Sequence, residues 1–161
     1  MEIQTLKFEP RFERQRVYYP NLLTVWTASY RSVFGIREEK VALMTNLVKG
    51  GSGFVSSPPT VKMKALPGEV LPGIMSVEEA EEEAHETMRR HYLHKARSWN
   101  VPTFIHHKTE KIYVPYEYFL QNTRWLKKER MYLHEPVSQY EDRLKKYPEI
   151  EAFIQMKEGI S

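Results

Sequence analysis

A chain of 161 residues, 41% apolar and 28% charged, has the size of one ordinary domain and can bury a core without a disulfide or metal staple. Its 24 bases and 21 acids leave a formal charge of +3 and a pI near 9.0, too mild by itself to point to nucleic acid. The absence of cysteine excludes disulfides, thiolate chemistry and cysteine-ligated zinc, and no apolar run approaches the roughly 20 residues of a membrane-crossing helix, so no membrane insertion is expected.

The first ten residues carry Glu2 and Glu9 and lack the apolar core of a secretory signal, so they do not read as a cleavable presequence, and the cytoplasm is the expected location. The segment from Arg16 to Leu23 contains Tyr18-Tyr19-Pro20, and its order of base, β-branched residue, Tyr, any residue and Pro recurs at Lys111-Ile112-Tyr113-Val114-Pro115. A second match follows each: Glu39 to Leu43 against Glu129 to Leu133. The recurrence predicts two related hairpin units, one in residues 1–66 and one in 76–161, sharing a single core.

Both Tyr-x-Pro segments are rich in β-branched and aromatic residues and read as strands. Proline cannot donate to a ladder, which puts Pro20 and Pro115 at an edge, a strand start or a bulge. Lys49-Gly50-Gly51-Ser52-Gly53 reads as a hairpin turn. It is not a phosphate loop, because Phe54-Val55 leads towards a strand and no Gly-Lys-Ser/Thr enters a helix. Ser56 to Met75, with Pro67-Gly68 and Pro72-Gly73, reads as an extended connector, Thr103 to His107 as a short strand, and Asn122-Thr123 as a turn.

The best-specified element is a helix from about Val77 to Ser98. Ser76 and Glu79 form a capping box, and Val77, Ala80, Ala84, Met88, Tyr92 and Trp99 define one apolar stripe. Glu78 to Glu83 precede Arg89, Arg90 and Lys95, an order that complements the helix dipole. At the C-terminus, Tyr140, Leu144 and Tyr147 keep a helical spacing up to Pro148, and Ile150, Phe153 and Ile154 resume it, which predicts two short helices stopped by Gly159.

Chemistry is thinly represented. Asp142 is the only aspartate, so paired-aspartate metal sites are excluded, and no strand-turn-helix serine supports a triad. His91 and His94 are one helical turn apart with His85 earlier, but His-Glu-x-x-His is absent, and alternation sends His106 and His107 to opposite faces of a strand. No catalytic residue, cofactor or metal ligand is nominated. Arg124, Trp125, Lys127, Lys128 and Arg130 interleave bases with an aromatic ring as single-strand binders do, a composition equally at home on a solvated hairpin.

The order of elements from Ser76 to Leu133, a helix opening Ser-Val-Glu-Glu-Ala followed by a meander of strands, resembles the PepSY and cystatin-like class of helix-on-sheet accessory domains. The resemblance implies a sheet wrapped on one helix and a role in binding or regulation, with no catalytic residues to carry over.

The expected fold is therefore α+β: antiparallel meander strands on one central helix, with short C-terminal helices, in a single domain. The expected function is a non-catalytic protein-binding or regulatory domain, self-associating as a homodimer or serving another protein, with Ile150, Phe153 and Ile154 as the contact; folding back on the chain's own sheet is the competing outcome. The alternatives are a single-stranded nucleic-acid binder using the Arg124 to Arg130 segment and a small histidine/glutamate-dependent enzyme.

Overall fold

The computed structural model describes residues 4–11, 14–56, 62–64, 67–95, 101–123 and 128–157. The strands are β1 (Gln4–Leu6), β2 (Gln15–Ser32), β3 (Gly35–Asn46), β4 (Ser52–Phe54), β5 (Lys62–Lys64), β6 (Glu69–Val70), β7 (Thr103–Thr123), β8 (Lys128–Glu135) and β9 (Tyr140–Arg143). The helices are α1 (Val77–Arg90), extended by a π turn at His91–Lys95, and α2 (Pro148–Lys157), preceded by a 3-10 turn at Leu144–Lys146. The fold is α+β, with antiparallel hairpins, one central helix and a short C-terminal one. No helix among the described residues is long and apolar enough to cross a membrane.

The chain forms two compact units: Met1–Pro20, Val61–Pro72 and Tyr113–Ser161 make the first, and Asn21–Thr60 with Gly73–Ile112 the second. They do not coincide with the two sequence halves, because β2 and β7 each contribute to both units.

In the second unit β2 and β3 form a long antiparallel hairpin, in register from Asn21↔Asn46 to Ser32↔Gly35, and β4 returns along β3. Alternation puts Trp26, Ala28 and Tyr30 on one face with Val41, where α1 covers them. Ser76 is extended and its hydroxyl accepts from the Glu79 amide at 3.1 Å, the expected cap. Ala84, Met88 and Tyr92 of the helix are buried against Trp26, Ala28 and Leu43, with Phe104 of β7 alongside, while Ala80 sits with Leu22 and Leu47. Tyr92 and Tyr30 each donate to Glu39 at 2.8 Å. Burial first, and then the Glu39 hydrogen bond, raise the Tyr92 phenol well above its ordinary value. The helical stripe is thus borne out from Ala80 to Tyr92, while Val77, expected to open it, is exposed in the first turn; Trp99 and Ser98 lie outside the described residues.

In the first unit β7 runs antiparallel to β8, from Glu117↔His134 to Thr123↔Lys128, and β9 returns along β8. β1 lies parallel to β7 at Thr5↔Tyr113 and antiparallel to β5, and β6 lies parallel to β2 at Val17↔Glu69. Pro148 opens α2, where its missing N–H costs nothing.

Three expectations are corrected. Thr103 to His107 is not a separate strand but the start of the 21-residue β7, which runs on through Asn122-Thr123 instead of turning there. Tyr140 to Arg143 is a strand, not a helix: the Glu135 carboxylate accepts from the amides of Val137 and Ser138, folding the chain back so that β9 pairs with β8. Pro20 and Pro115 lie inside long strands instead of at their ends. Each falls where the ladder has a break. Pairing of β2 with β6 stops at Tyr18 and with β3 begins at Asn21, while pairing of β7 with β1 is at Tyr113 and with β8 begins at Glu117. A residue in such a gap needs no ladder donor on that side, which is what proline requires.

Candidate functional site

The most unusual chemistry lies in the first unit, where Arg16, Glu117 and His134 have side chains only 4%, 0% and 6% exposed. Strand alternation does this: Arg16 enters on β2, Glu117 on β7, and His134 is the cross-strand partner of Glu117 on β8. Glu117 Oε2 accepts from Arg16 Nη2 at 3.4 Å and from the Arg11 amide at 3.0 Å. Arg16 Nη1 donates to the Pro67 carbonyl at 2.8 Å, tying the β5–β6 loop to the network.

His134 is held from both ends. Gln139, at φ 63°, donates through Nε2 to the Pro136 carbonyl at 2.7 Å, so its Oε1 faces His134 Nε2 at 3.1 Å and assigns the proton there. Nδ1 is then the acceptor for Arg14 Nη1 at 3.4 Å. Glu117 Oε1 is also 3.4 Å from Nδ1 but has no hydrogen-bond donor, and Arg16 Nε is a second buried polar atom without a partner. The Arg14 guanidinium carbon lies over the Phe119 ring, 3.8 Å from its centre.

Beside this network is a cavity of about 490 Å³ whose walls include Arg14, Arg16, Gly68, Glu69, Tyr118 and Lys157. Gly68 is required by its neighbours: a Cβ there would lie 3.0 Å from both the Arg16 carbonyl oxygen and the Tyr18 ring. Gly68→Ala is expected to cost about 1–3 kcal/mol through this overpacking, read as a lower urea midpoint at unchanged slope; an unchanged midpoint would mean that the loop gives way freely.

In the second unit a groove of about 520 Å³ is lined by Gly51, Phe54, Glu83, Arg90, His91 and His94 among others. The amide of Gly51 donates to Glu83 of α1, so the glycine-rich turn already holds a carboxylate of its own chain. His91 packs edgewise on Tyr92 and against Phe54, while His106 stacks on Trp26 at 4.3 Å and His107 Nε2 lies 2.6 Å from Thr27 Oγ1, the opposite faces expected. Among the described residues no group of three or more His, Asp or Glu is placed to hold a metal ion. The Ser52 hydroxyl is 2.6 Å from that of Thr45, not from a histidine. Asp142 is engaged by the Arg143 amide, then by Lys146 and Tyr140, which hold its carboxyl below the usual range.

The tip of the β2–β3 hairpin presents a third feature, which sequence reasoning passed over. Val33 and Phe34 occupy the turn, Gly35 follows at φ 104°, and the Ser32 hydroxyl accepts from the Phe34 amide and donates to the Gly35 carbonyl, both at 3.2 Å. The two turn residues sit between the paired Ser32 and Gly35, and the Ser32 hydroxyl bonds together with the left-handed glycine specify the conformation. Val33, Phe34 and Ile36 are nevertheless 68%, 84% and 75% exposed. The signal was present in the sequence as Ser-Val-Phe-Gly, a turn whose central pair is apolar.

Of the residues nominated from sequence, Ile150, Phe153 and Ile154 are buried on α2 in the first unit, at 1%, 6% and 4% exposure. They are packed within their own chain, where the expectation was a contact surface for a partner. Arg124, Trp125 and Lys127 lie outside the described residues, and Lys128 and Arg130 are placed only by their backbone in β8. No protein-family model, curated protein or solved structure matches the chain.

Proposed function

We propose that the chain is a non-catalytic protein-binding module of the accessory or regulatory kind, and that it meets its partner with the tip of the β2–β3 hairpin. The observation that carries this reading is the exposure of Val33, Phe34 and Ile36 on a turn whose conformation is fixed by Ser32 and Gly35. Turns ordinarily carry Gly, Asn, Asp or Pro; an apolar pair held out into water on a specified turn contributes nothing to its own core. Three side chains fall far short of the roughly 800 Å² per partner of a standing flat interface, so the tip suits insertion into an apolar pocket of another protein. The helix-on-sheet resemblance implies the same kind of role. In each half a long strand pairs with the next and a third returns along the second, as β2-β3-β4 and β7-β8-β9, which supports the reading of a duplicated hairpin unit.

A photo-crosslinking residue placed at Phe34, with one at the exposed Glu38 of the same hairpin as control, tests the proposal in the source cell. The expected result is a discrete protein adduct from position 34 that weakens when Ile36→Asp is added. Identical patterns from positions 34 and 38 would refute it. An adduct of twice the chain's mass would identify the partner as a second copy, and sedimentation of the parent against Phe34→Asp would then show the parent alone to be larger than a monomer.

A further inference from the structure

We infer that the cavity of the first unit binds a small anionic ligand, a carboxylate or a phosphate ester, with Arg14 as its principal anchor. The inference concerns residues separate from the hairpin tip and does not depend on the binding role proposed for it. The cavity, of about 490 Å³, is within the ordinary range for small-molecule sites. Three cations line it: Arg14, Arg16 and Lys157. Their charges are compensated unequally. Arg16 is met by the buried Glu117 at 3.4 Å, and Lys157 is 3.5 Å from Glu69 in a pair whose side chains are each about half exposed.

Arg14 pairs with no carboxylate among the described residues. Its contacts are the Phe119 ring and Nδ1 of His134, neither of which is an anion. The side chain is partly buried, and a guanidinium removed from water without a counter-ion carries a desolvation cost that an incoming anion relieves. Its contact with the Phe119 ring also restricts the fork before a ligand arrives, and a planar fork is suited to two oxygens of one carboxylate or phosphate.

The other walls fit the same ligand. Lys157 can exchange its pairing with Glu69 for a ligand oxygen at little loss, since ion pairs between half-exposed side chains are weak. Gly68 leaves bare backbone at the wall, where a side chain would press on Arg16 and Tyr18. Arg16 binds the Pro67 carbonyl and so positions that loop, which makes it a positioning residue for the cavity.

The test titrates the full chain at low ionic strength with inorganic phosphate, phenyl phosphate and benzoate, by calorimetry and by thermal shift, with potassium chloride at matched ionic strength as control. The expected result is saturable heat, and a raised Tm, for at least one of the three below about 10 mM. Arg14→Gln should then weaken it at least tenfold and Lys157→Gln several-fold, while Lys145→Gln, exposed and outside the cavity, leaves it unchanged. A phosphate-only response identifies a phosphate site, and a benzoate response a carboxylate site. If none of the three binds, if chloride reproduces the effect, or if Arg14→Gln binds as the parent does, the inference is overturned. Should Arg14→Gln fail to fold, Lys157→Gln decides: its side chain is half exposed, so it keeps the fold, and unchanged affinity in it counts against the site.

Discussion

Substituting Met88 by aspartate is expected to abolish the cooperative melting transition. Met88 is fully buried among Trp26, Ala28, Leu43, Ala84 and Tyr92, the point where α1 meets the β2–β3 hairpin. The substitution forfeits the transfer free energy of a large apolar side chain, about 1.5–3 kcal/mol. It also puts a carboxyl where the surrounding side chains offer almost no hydrogen-bond donor, which costs several kcal/mol more whether the group stays charged or takes up a proton. The total is comparable with the whole stability of a domain, about 5–15 kcal/mol. Met88→Leu, similar in volume, should lose less than about 1.5 kcal/mol and serves as the control. Circular dichroism against temperature reads both, and a Met88→Asp variant that melted like the parent would remove α1 from the core.

What could be read from the sequence was what local spacing encodes. The Ser76 cap and the stripe from Ala80 to Tyr92 are i, i+3 and i, i+4 relations inside one helix, and the structure keeps them. The lengths of the strands were hidden for the opposite reason. His106-His107-Lys108-Thr109-Glu110 shows no apolar alternation, yet it is continuous strand because His106 finds Trp26 and His107 finds Thr27 on β2, some 80 positions earlier in the chain. At Tyr140 the spacing to Leu144 and Tyr147 imitated a helix. A turn held by Glu135 and the ladder with β8 override it, as tertiary pairing commonly overrides a short periodic run. The prolines misled for a related reason: the rule that excludes them from paired strand concerns a missing donor, and it is satisfied inside a long strand wherever one partner ends before the next begins.

The ionic network was the least legible feature. Arg16 and Glu117 stand 101 positions apart, and nothing in either local sequence distinguishes them from the solvated charges around them. The network also gives the second large prediction. Glu117→Leu should destabilise the chain by about 3–5 kcal/mol, because it leaves the Arg16 guanidinium buried without its counter-ion. It also strips the Arg11 amide of its acceptor. Arg16→Met in the same chain should recover much of that loss, since replacing both members of a buried pair by apolar groups of similar volume is often close to neutral. The Pro67 carbonyl that Arg16 holds belongs to an exposed residue and can turn to water. A double-mutant cycle by urea denaturation reads the coupling directly, expected at about 1–3 kcal/mol in the sense that the double variant is more stable than the two single losses together imply. Additive losses would mean that Arg16 and Glu117 act separately, and that the orphaned atoms Arg16 Nε and Glu117 Oε1 belong to a site water reaches.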